Sequence, residues 1–190
     1  MSGRQNRRWV GFLGLALAGL VLSAEAQACA TDAGAPAGTM NFVHPAPGRI
    51  FTIFGPRRHP LLNLVRNHDG IDYLAAVGDP IVAAAGGEVT FAGWKGQFGI
   101  AIQIRHRDGW ETLYAHLSRP IVRAGDCLKA GDGIGMSGNT GFSTGPHLHF
   151  EISRNGTHVD PATLLDITGR KCVLDCPSDP DRPCVCEPSK

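Results

Sequence analysis

The chain has 190 residues, 43% of them hydrophobic and 18% charged, which is enough for one globular domain with short appendages. Its formal net charge of +1 gives no electrostatic reason to expect nucleic acid or an anionic surface as a partner. The 25 Gly and 13 Pro favour turns and short strands over long helices.

The N-terminus is typical of an export signal. Three Arg precede an apolar run at residues 9–22, and small residues at 23–28 offer a cleavage site. A retained membrane anchor is the alternative, but the 14 apolar residues are fewer than the roughly 20 that span a bilayer. We therefore predict a signal peptide over residues 1–28, no transmembrane anchor after cleavage, and a periplasmic or secreted protein. Loss of three Arg and one Glu with this segment changes the formal net charge from +1 to −1.

Residues 29–42 are small, polar and unpatterned, and we interpret them as a linker. Cys29, at its start, could carry the lipid of a lipoprotein. However, the preceding Ala-Gln-Ala lacks the large aliphatic residue usual at such sites, and lipidation would leave an odd number of cysteines. The six cysteines instead fit an oxidising compartment in which all of them pair. The sequence does not decide how they pair.

From residue 43 to 168 the chain reads as short strands broken by turns. The stretch FGIAIQIRH alternates, with Ile100, Ile102 and Ile104 on one face, and Asp108-Gly109 predicts a hairpin after it. Residues 160–167 predict a short helical turn with Asp160 as its N-cap. The pattern predicts a mostly β domain, an antiparallel sheet with short loops that is curved by glycines.

Residues 169–190 differ in composition from the predicted domain. They contain four Cys and four Pro with almost no apolar periodicity, too little to form a core. We interpret them as a disulfide-tied tail. A metal site built from the C-x-x-x-C and C-x-C pairs is the alternative.

Three stretches carry candidate chemistry: NHDGID with His68 and Asp72, LYAHL with His116, and PHLHFEI with His147 and His149. In an extended strand the two histidines of PHLHFEI point to one face together with Glu151, while the apolar residues between them face a core. Each motif alone is weak. Together they supply imidazoles and one carboxylate on segments that a sheet could bring together. A catalytic zinc site uses three such ligands and leaves a fourth position open.

In this order, FGPRRHP, HDGIDYLAAVGDPIVAAAGGEV, LYAHLS and GNTGFSTGPHLHFEI resemble the motifs of the LytM/lysostaphin-type zinc metallopeptidases, over roughly residues 55–165. The resemblance implies a compact, saddle-like β fold and an endopeptidase that cleaves peptide bonds in peptidoglycan stem peptides or cross-links. It implies one Zn²⁺ per chain held by His68, Asp72 and His149. By the same resemblance, His116 and His147 are catalytic histidines that do not bind the metal.

Several alternatives stay open at this point. A catalytically silent module that activates another wall hydrolase has no need of all five residues, and a metal carrier would bind zinc without hydrolysis. Tyr114 would share a strand face with His116 and could reach the substrate, or be buried with a bonded hydroxyl. Glu151 could orient a histidine or face solvent. We interpret His59 as a support for a turn and His44, His106 and His158 as surface or loop residues, and we expect a monomer.

Overall fold

The computed structural model describes Cys29 and residues 40–58 and 64–165. Within these ranges the chain forms thirteen strands and three short 3₁₀ turns, and no α-helix. The strands are β1 (Ile50–Thr52), β2 (Gly55–Arg58), β3 (Val65–His68), β4 (Ile71–Leu74), β5 (Pro80–Val82), β6 (Gly87–Trp94), β7 (Ile100–Arg105), β8 (Trp110–Leu117), β9 (Arg119–Pro120), β10 (Cys127–Leu128), β11 (Gly133–Met136), β12 (His147–Arg154) and β13 (Thr157–Val159). The 3₁₀ turns are Gly96–Phe98, Arg107–Gly109 and Pro161–Thr163.

The main sheet has the strand order β1-β4-β12-β8-β7-β6-β10, and β13 pairs with β12 beyond the end of β4. A second sheet has the order β5-β11-β9, and β2 and β3 form a separate hairpin. Every pairing is antiparallel. The predicted mostly β, antiparallel fold is therefore confirmed.

The core lies between one face of the main sheet and the second sheet. Leu148, Phe150 and Ile152 alternate along β12 and are fully buried, as the period-2 pattern predicts. They share one apolar cluster with Ile81 of β5 and Ile134 of β11. The opposite face of β12 is thereby left for polar side chains.

Two predicted turns are present with some differences in detail. Asp108 and Gly109 both have positive φ, of 56° and 74°, but the loop between β7 and β8 is longer than a two-residue hairpin because it includes the 3₁₀ turn. Asp160 caps the last 3₁₀ turn, where its Oδ1 accepts a hydrogen bond of 2.9 Å from the backbone of Ala162. These turns keep the loops short around a continuous sheet.

Cys29 is joined to the main sheet by a disulfide to Cys127 at the start of β10. The core also extends to Phe42, the last residue of the predicted linker, whose ring packs edge-on against Trp110. The predicted signal peptide, most of the linker, His59 and the Cys-rich tail lie outside the described residues. Among the residues that are described, no helix is long and apolar enough to cross a membrane.

Candidate metal centre

Neighbouring strands bring together the side chains predicted to bind metal. β4 and β12 pair so that Asp72 lies opposite His149, which puts both side chains on the polar face of the sheet. His68 is the last residue of β3, and the chain then turns through Gly70 into β4. A Cβ on Gly70 would lie 2.3 Å from the carbonyl oxygen of Phe150, so only glycine fits where this turn crosses β12.

Three atoms of these side chains converge. Asp72 Oδ1 lies 2.9 Å from His149 Nδ1 and 3.2 Å from His68 Nε2, and the two ring nitrogens lie 3.0 Å apart. All three residues are buried. Ligand atoms at zinc bond lengths and tetrahedral angles lie about 3.3–3.6 Å apart, so the observed separations are close to those of a zinc site.

The hydrogen-bond partners of His68 and His149 outside the cluster determine which nitrogen of each ring carries the proton. The other nitrogen of each ring faces the cluster with a lone pair. His68 Nδ1 donates to the carbonyl oxygen of Ile53 at 2.8 Å, and His149 Nε2 donates to Oε1 of Glu151 at 2.9 Å. A neutral imidazole carries one N–H, so the facing nitrogens of His68 and His149 are both acceptors. Two lone pairs and a carboxylate oxygen at such short distances repel one another unless a positive charge lies among them. The donor set therefore fits a divalent cation.

A proton on a facing nitrogen would also supply positive charge within the cluster. Burial alone would raise the pKa of Asp72, but the hydrogen bonds that His149 and His68 donate in that protonated form hold that pKa well below its usual range. Burial likewise opposes a charge on His149, but the hydrogen bonds to Asp72 and Glu151 outweigh it and raise the pKa of His149 to about 9. The surroundings thus stabilise positive charge at this point, as a cation site requires.

His116 and His147 lie beside this cluster as a pair. Their ring centroids are 4.7 Å apart, and His147 Nε2 is 3.8 Å from Asp72 Oδ1. His116 Nδ1 donates to the carbonyl oxygen of Thr140 at 2.8 Å, and His147 Nδ1 donates to that of Gly145 at 2.7 Å. When neutral, both rings therefore keep Nε2 as a free proton acceptor.

Both of these rings are neutral near pH 7. Burial, and next the neighbouring His147, lower the pKa of His116 to about 4. Burial also lowers the pKa of His147, against the opposing effect of Asp72. The structure therefore places two uncharged imidazoles next to a cluster that favours positive charge.

His116 reaches this position through a break in β8. Its φ is +61°, and the pairing of β7 with β8 shifts between Ile100–Leu117 and Ile102–Tyr114, which marks a β-bulge. The expectation that Tyr114 shares a face with His116 is wrong, because the bulge turns His116 to the polar face. Tyr114 is fully buried, and its hydroxyl accepts hydrogen bonds from Ala84 N at 2.7 Å and Thr112 Oγ1 at 3.1 Å.

Other side chains surround the five residues. The sequence left the role of Glu151 open, and the structure places it against His149 and against His158 Nε2, at 3.1 Å. Arg57 of β2 lies 3.4 Å from Asp72 Oδ2. The sequence did not indicate this contact, although Arg57 lies in the FGPRRHP stretch. Phe98 stacks on the ring of His149, with centroids 5.9 Å apart. An open groove of about 310 Å³ lies to one side of the cluster; Phe98, Glu151 and His158 are among the residues that line it, and the five site residues are not.

The remaining described histidines are not members of the cluster. His106 is in the loop after β7, as predicted, but its ring is buried and bonds to the carbonyl of Gly86 and to Thr112 Oγ1, both at 2.8 Å. His44 is half-buried and lies 2.8 Å from the hydroxyl of Tyr73. His158 is exposed on β13, as predicted.

Known proteins share this fold and these motifs. The chain is 50% identical over 116 residues to DD-carboxypeptidase/endopeptidase Mpg of Neisseria meningitidis, a match that covers 61% of this chain and 27% of that protein. It is 43% identical over 117 residues to peptidoglycan DD-endopeptidase ShyC of Vibrio cholerae, covering 61% of this chain and 27% of the relative. The chain thus spans about a quarter of the length of these curated relatives.

A solved structure and a family profile agree with these matches. The crystal structure of a zinc-containing peptidase from Vibrio cholerae superposes with a TM-score of 0.60 at 32% identity, over 64% of this chain and 39% of that one. The sequence profile of peptidase family M23 matches residues 66–161, just over half of the chain. The predicted resemblance to LytM/lysostaphin-type metallopeptidases is confirmed, and the chain belongs to peptidase family M23.

Proposed function

We propose that this protein is a zinc-dependent endopeptidase that hydrolyses peptide bonds in the stem peptides or cross-links of bacterial peptidoglycan. The observation that carries the proposal is the convergence of two imidazole nitrogens and one carboxylate oxygen within 3.2 Å, flanked by two neutral histidines. The names of the zinc-containing, peptidoglycan-cleaving relatives supply the metal and the substrate class.

In this proposal His68 Nε2, Asp72 Oδ1 and His149 Nδ1 hold one zinc ion. When bound there, zinc acts as a Lewis acid that activates water and polarises a substrate carbonyl. The carboxylate of Asp72 lowers the net charge of the site. Arg57 pairs with its second oxygen, which orients the first oxygen toward the two rings.

His116 and His147 handle the protons. The Nε2 atom of one ring accepts a proton as water attacks the carbonyl carbon of the scissile peptide. The protonated ring then gives that proton to the leaving amine as the carbon–nitrogen bond breaks. If that ring is His116, its low pKa favours this release. Before that transfer, the Nε2–H of the same protonated ring can donate a hydrogen bond to the developing oxyanion. The backbone carbonyls of Thr140 and Gly145 keep both rings oriented for this task.

We do not favour a silent activator, because such a module has no need of the three candidate metal ligands together with the two flanking histidines. The metal-carrier hypothesis likewise leaves the neutral pair unexplained. His116 and His147 contact each other and do not add a further ligand atom to the cluster. His147 Nε2 lies 3.8 Å from Asp72 Oδ1.

The organisation of the whole chain is also part of the proposal. We infer a signal peptide over residues 1–28, a linker over 29–42, a catalytic domain over 43–168 and a Cys-rich tail over 169–190, in a monomer exported to the periplasm or secreted. The disulfide at Cys29 supports export, because disulfides persist in oxidising compartments. It also argues against a lipoprotein, because a sulfur bonded to Cys127 cannot carry a lipid.

Digestion of purified peptidoglycan by the mature protein tests the proposed activity. We expect soluble muropeptides whose masses correspond to cleaved peptide bonds with intact glycan linkages. A chelator should abolish the release, and one equivalent of Zn²⁺ should restore it. A protein that contains zinc but releases no fragment from peptidoglycan of several cross-link types would contradict the proposal, as would release that a chelator does not affect.

A further inference from the structure

The buried carboxylate of Glu151 has no task in the proton transfers described above. Glu151 lies two residues after His149 on β12, and only 8% of its surface is exposed. Its Oε1 accepts the Nε2–H of His149 at 2.9 Å, and its Oε2 accepts the Nε2–H of His158 at 3.1 Å. Burying a carboxylate is costly unless its oxygens are paired, and here each oxygen has a ring donor.

A tight hairpin brings the second donor within reach. Asn155 and Gly156 connect β12 to β13 with φ values of 50° and 78°, as a two-residue hairpin turn requires. The register then pairs Ser153 with His158, which makes His158 the diagonal neighbour of Glu151 on the same face. His158 itself stays exposed at the edge of the groove.

The consequence concerns the nitrogen of His149 that faces the cluster. A carboxylate only accepts hydrogen bonds, so Glu151 keeps the proton on Nε2 and leaves Nδ1 as the lone pair directed at Asp72 and His68. The same hydrogen bond holds the imidazole ring against rotation about its Cβ–Cγ bond. The negative charge of Glu151 also makes Nδ1 a stronger electron-pair donor to a cation. Without Glu151, the neutral ring could carry its N–H on Nδ1, the nitrogen that faces the cluster.

We propose that Glu151 is a positioning residue that sets the tautomer and orientation of His149 for metal binding, and that His158 in turn holds Glu151. This inference rests on the proposed function only in taking zinc as the bound ion. It predicts a ranked series of zinc affinities among variants at the two positions. Outer partners of metal-binding histidines typically change metal affinity by about 10–100-fold.

Zinc affinity of the mature protein, measured by competition with a chromophoric chelator, tests this series. We expect Glu151→Ala to bind zinc about 10–100-fold more weakly than the wild type. Glu151→Gln keeps an accepting oxygen but not the charge, so its loss should be smaller, and His158→Ala should lose least. The matched control is Glu111→Gln, because Glu111 accepts from Gln103 Nε2 at 3.0 Å on the same face and has no bond to His149. Its zinc affinity should equal that of the wild type.

Two further measurements separate positioning from general destabilisation. In ¹⁵N-histidine spectra of the zinc-loaded protein, the Nε2–H proton of His149 should be slowly exchanging in the wild type and in Glu151→Gln. It should exchange rapidly in Glu151→Ala. Thermal unfolding of each variant checks the fold, and Glu151→Gln and His158→Ala keep the test valid if Glu151→Ala does not fold.

Equal zinc affinity in the wild type, Glu151→Gln and Glu151→Ala would overturn the proposal, as would loss of affinity in Glu111→Gln to the same degree. The chelator assay needs no cleavage of substrate. A wild type that binds zinc but cannot digest peptidoglycan therefore refutes the proposed function and leaves the role of Glu151 to be read from the affinities. A wild type that digests peptidoglycan while all variants bind zinc equally refutes only the role of Glu151.

Discussion

At the scale of single residues, His147 and His149 differ in their partners rather than in their position on the strand. Both lie on the polar face of β12. His149 gives its outer N–H to Glu151 and turns Nδ1 to Asp72, whereas His147 gives Nδ1–H to a backbone carbonyl and keeps Nε2 3.8 Å from Asp72 Oδ1. The carboxylate of Glu151 directs Nδ1 of His149 into the cluster, whereas Nε2 of His147 stays beside the cluster as the proposed proton acceptor. One rigid strand thus holds two chemical roles at a fixed separation.

This difference predicts opposite results for the two histidines. His149→Ala should lose zinc and with it all activity, because it removes a donor from the cluster. His147→Ala and His116→Ala should keep about one zinc per chain while kcat falls by about 10²–10⁴-fold, the usual contribution of a general acid or base. Metal content by atomic spectroscopy and rates on peptidoglycan fragments check both outcomes. Loss of zinc in His147→Ala with retained zinc and activity in His149→Ala would reverse the assignment.

At the scale of elements, the regular parts of the strands could be predicted from the sequence and their irregularities could not. The alternation in PHLHFEI correctly predicts that Leu148, Phe150 and Ile152 are buried and that the two histidines share a face, because side chains alternate strictly along an extended strand. The same rule fails at His116, where the bulge adds one residue and turns the side chain to the other face. The spacing of three between Tyr114 and Leu117, both fully buried, is the trace of that bulge in the sequence.

The contacts of the outer residues depend on how neighbouring strands pair, which the alternation within a single strand does not show. Arg57 meets Asp72 because of the β2–β3 hairpin, and His158 meets Glu151 because of the Asn155-Gly156 turn. The Asn-Gly pair is a strong hairpin signal and was available in the sequence.

The positive φ of His116 costs about 1–3 kcal/mol and is tolerated because pairing on both sides of β8 fixes the strand.

The turn between β3 and β4 provides a prediction about one glycine. In Gly70→Ala the new Cβ would lie 2.3 Å from the carbonyl oxygen of Phe150, so β4 must shift relative to β12. We expect a loss of stability of about 1–3 kcal/mol and weaker zinc binding, because Asp72 and His149 face each other across these two strands. Chemical denaturation and chelator competition measure the two effects.

Gly133→Ala is the matched control, because a Cβ at Gly133 would meet only a side-chain carbon of Ile121 at an ordinary distance of 3.6 Å. It should change neither stability nor zinc affinity appreciably. If Gly70→Ala is as stable as the wild type and binds zinc equally, the close approach of this turn to β12 does not determine the geometry of the cluster.

At the scale of the whole molecule, the candidate metal cluster and the disulfide of Cys29 belong to opposite parts of one sheet. The cluster is built on β4, β12 and β8 with the β2–β3 hairpin, whereas Cys127 lies on β10 at the far end of the strand order. The disulfide therefore joins Cys29 to the sheet at a strand that carries no residue of the cluster. Its role is to stabilise the fold and not to take part in the chemistry.

Removal of this disulfide should lower stability and leave zinc binding intact. The bond closes a loop of 98 residues in sequence separation, and cross-links of this kind contribute about 2–4 kcal/mol, mainly by restricting the unfolded chain. We expect the free energy of unfolding of the double variant Cys29→Ser/Cys127→Ser to be lower by that amount in chemical denaturation. Its zinc affinity should be unchanged, and so should its activity at temperatures well below its unfolding midpoint. The double variant avoids an unpaired thiol that could exchange with the cysteines of the tail. If the wild type in the presence of a thiol reductant unfolds at the same midpoint as without it, the disulfide makes no contribution. If zinc affinity falls along with stability, the two ends of the sheet are coupled, and the disulfide contributes to metal binding as well as to the stability of the fold.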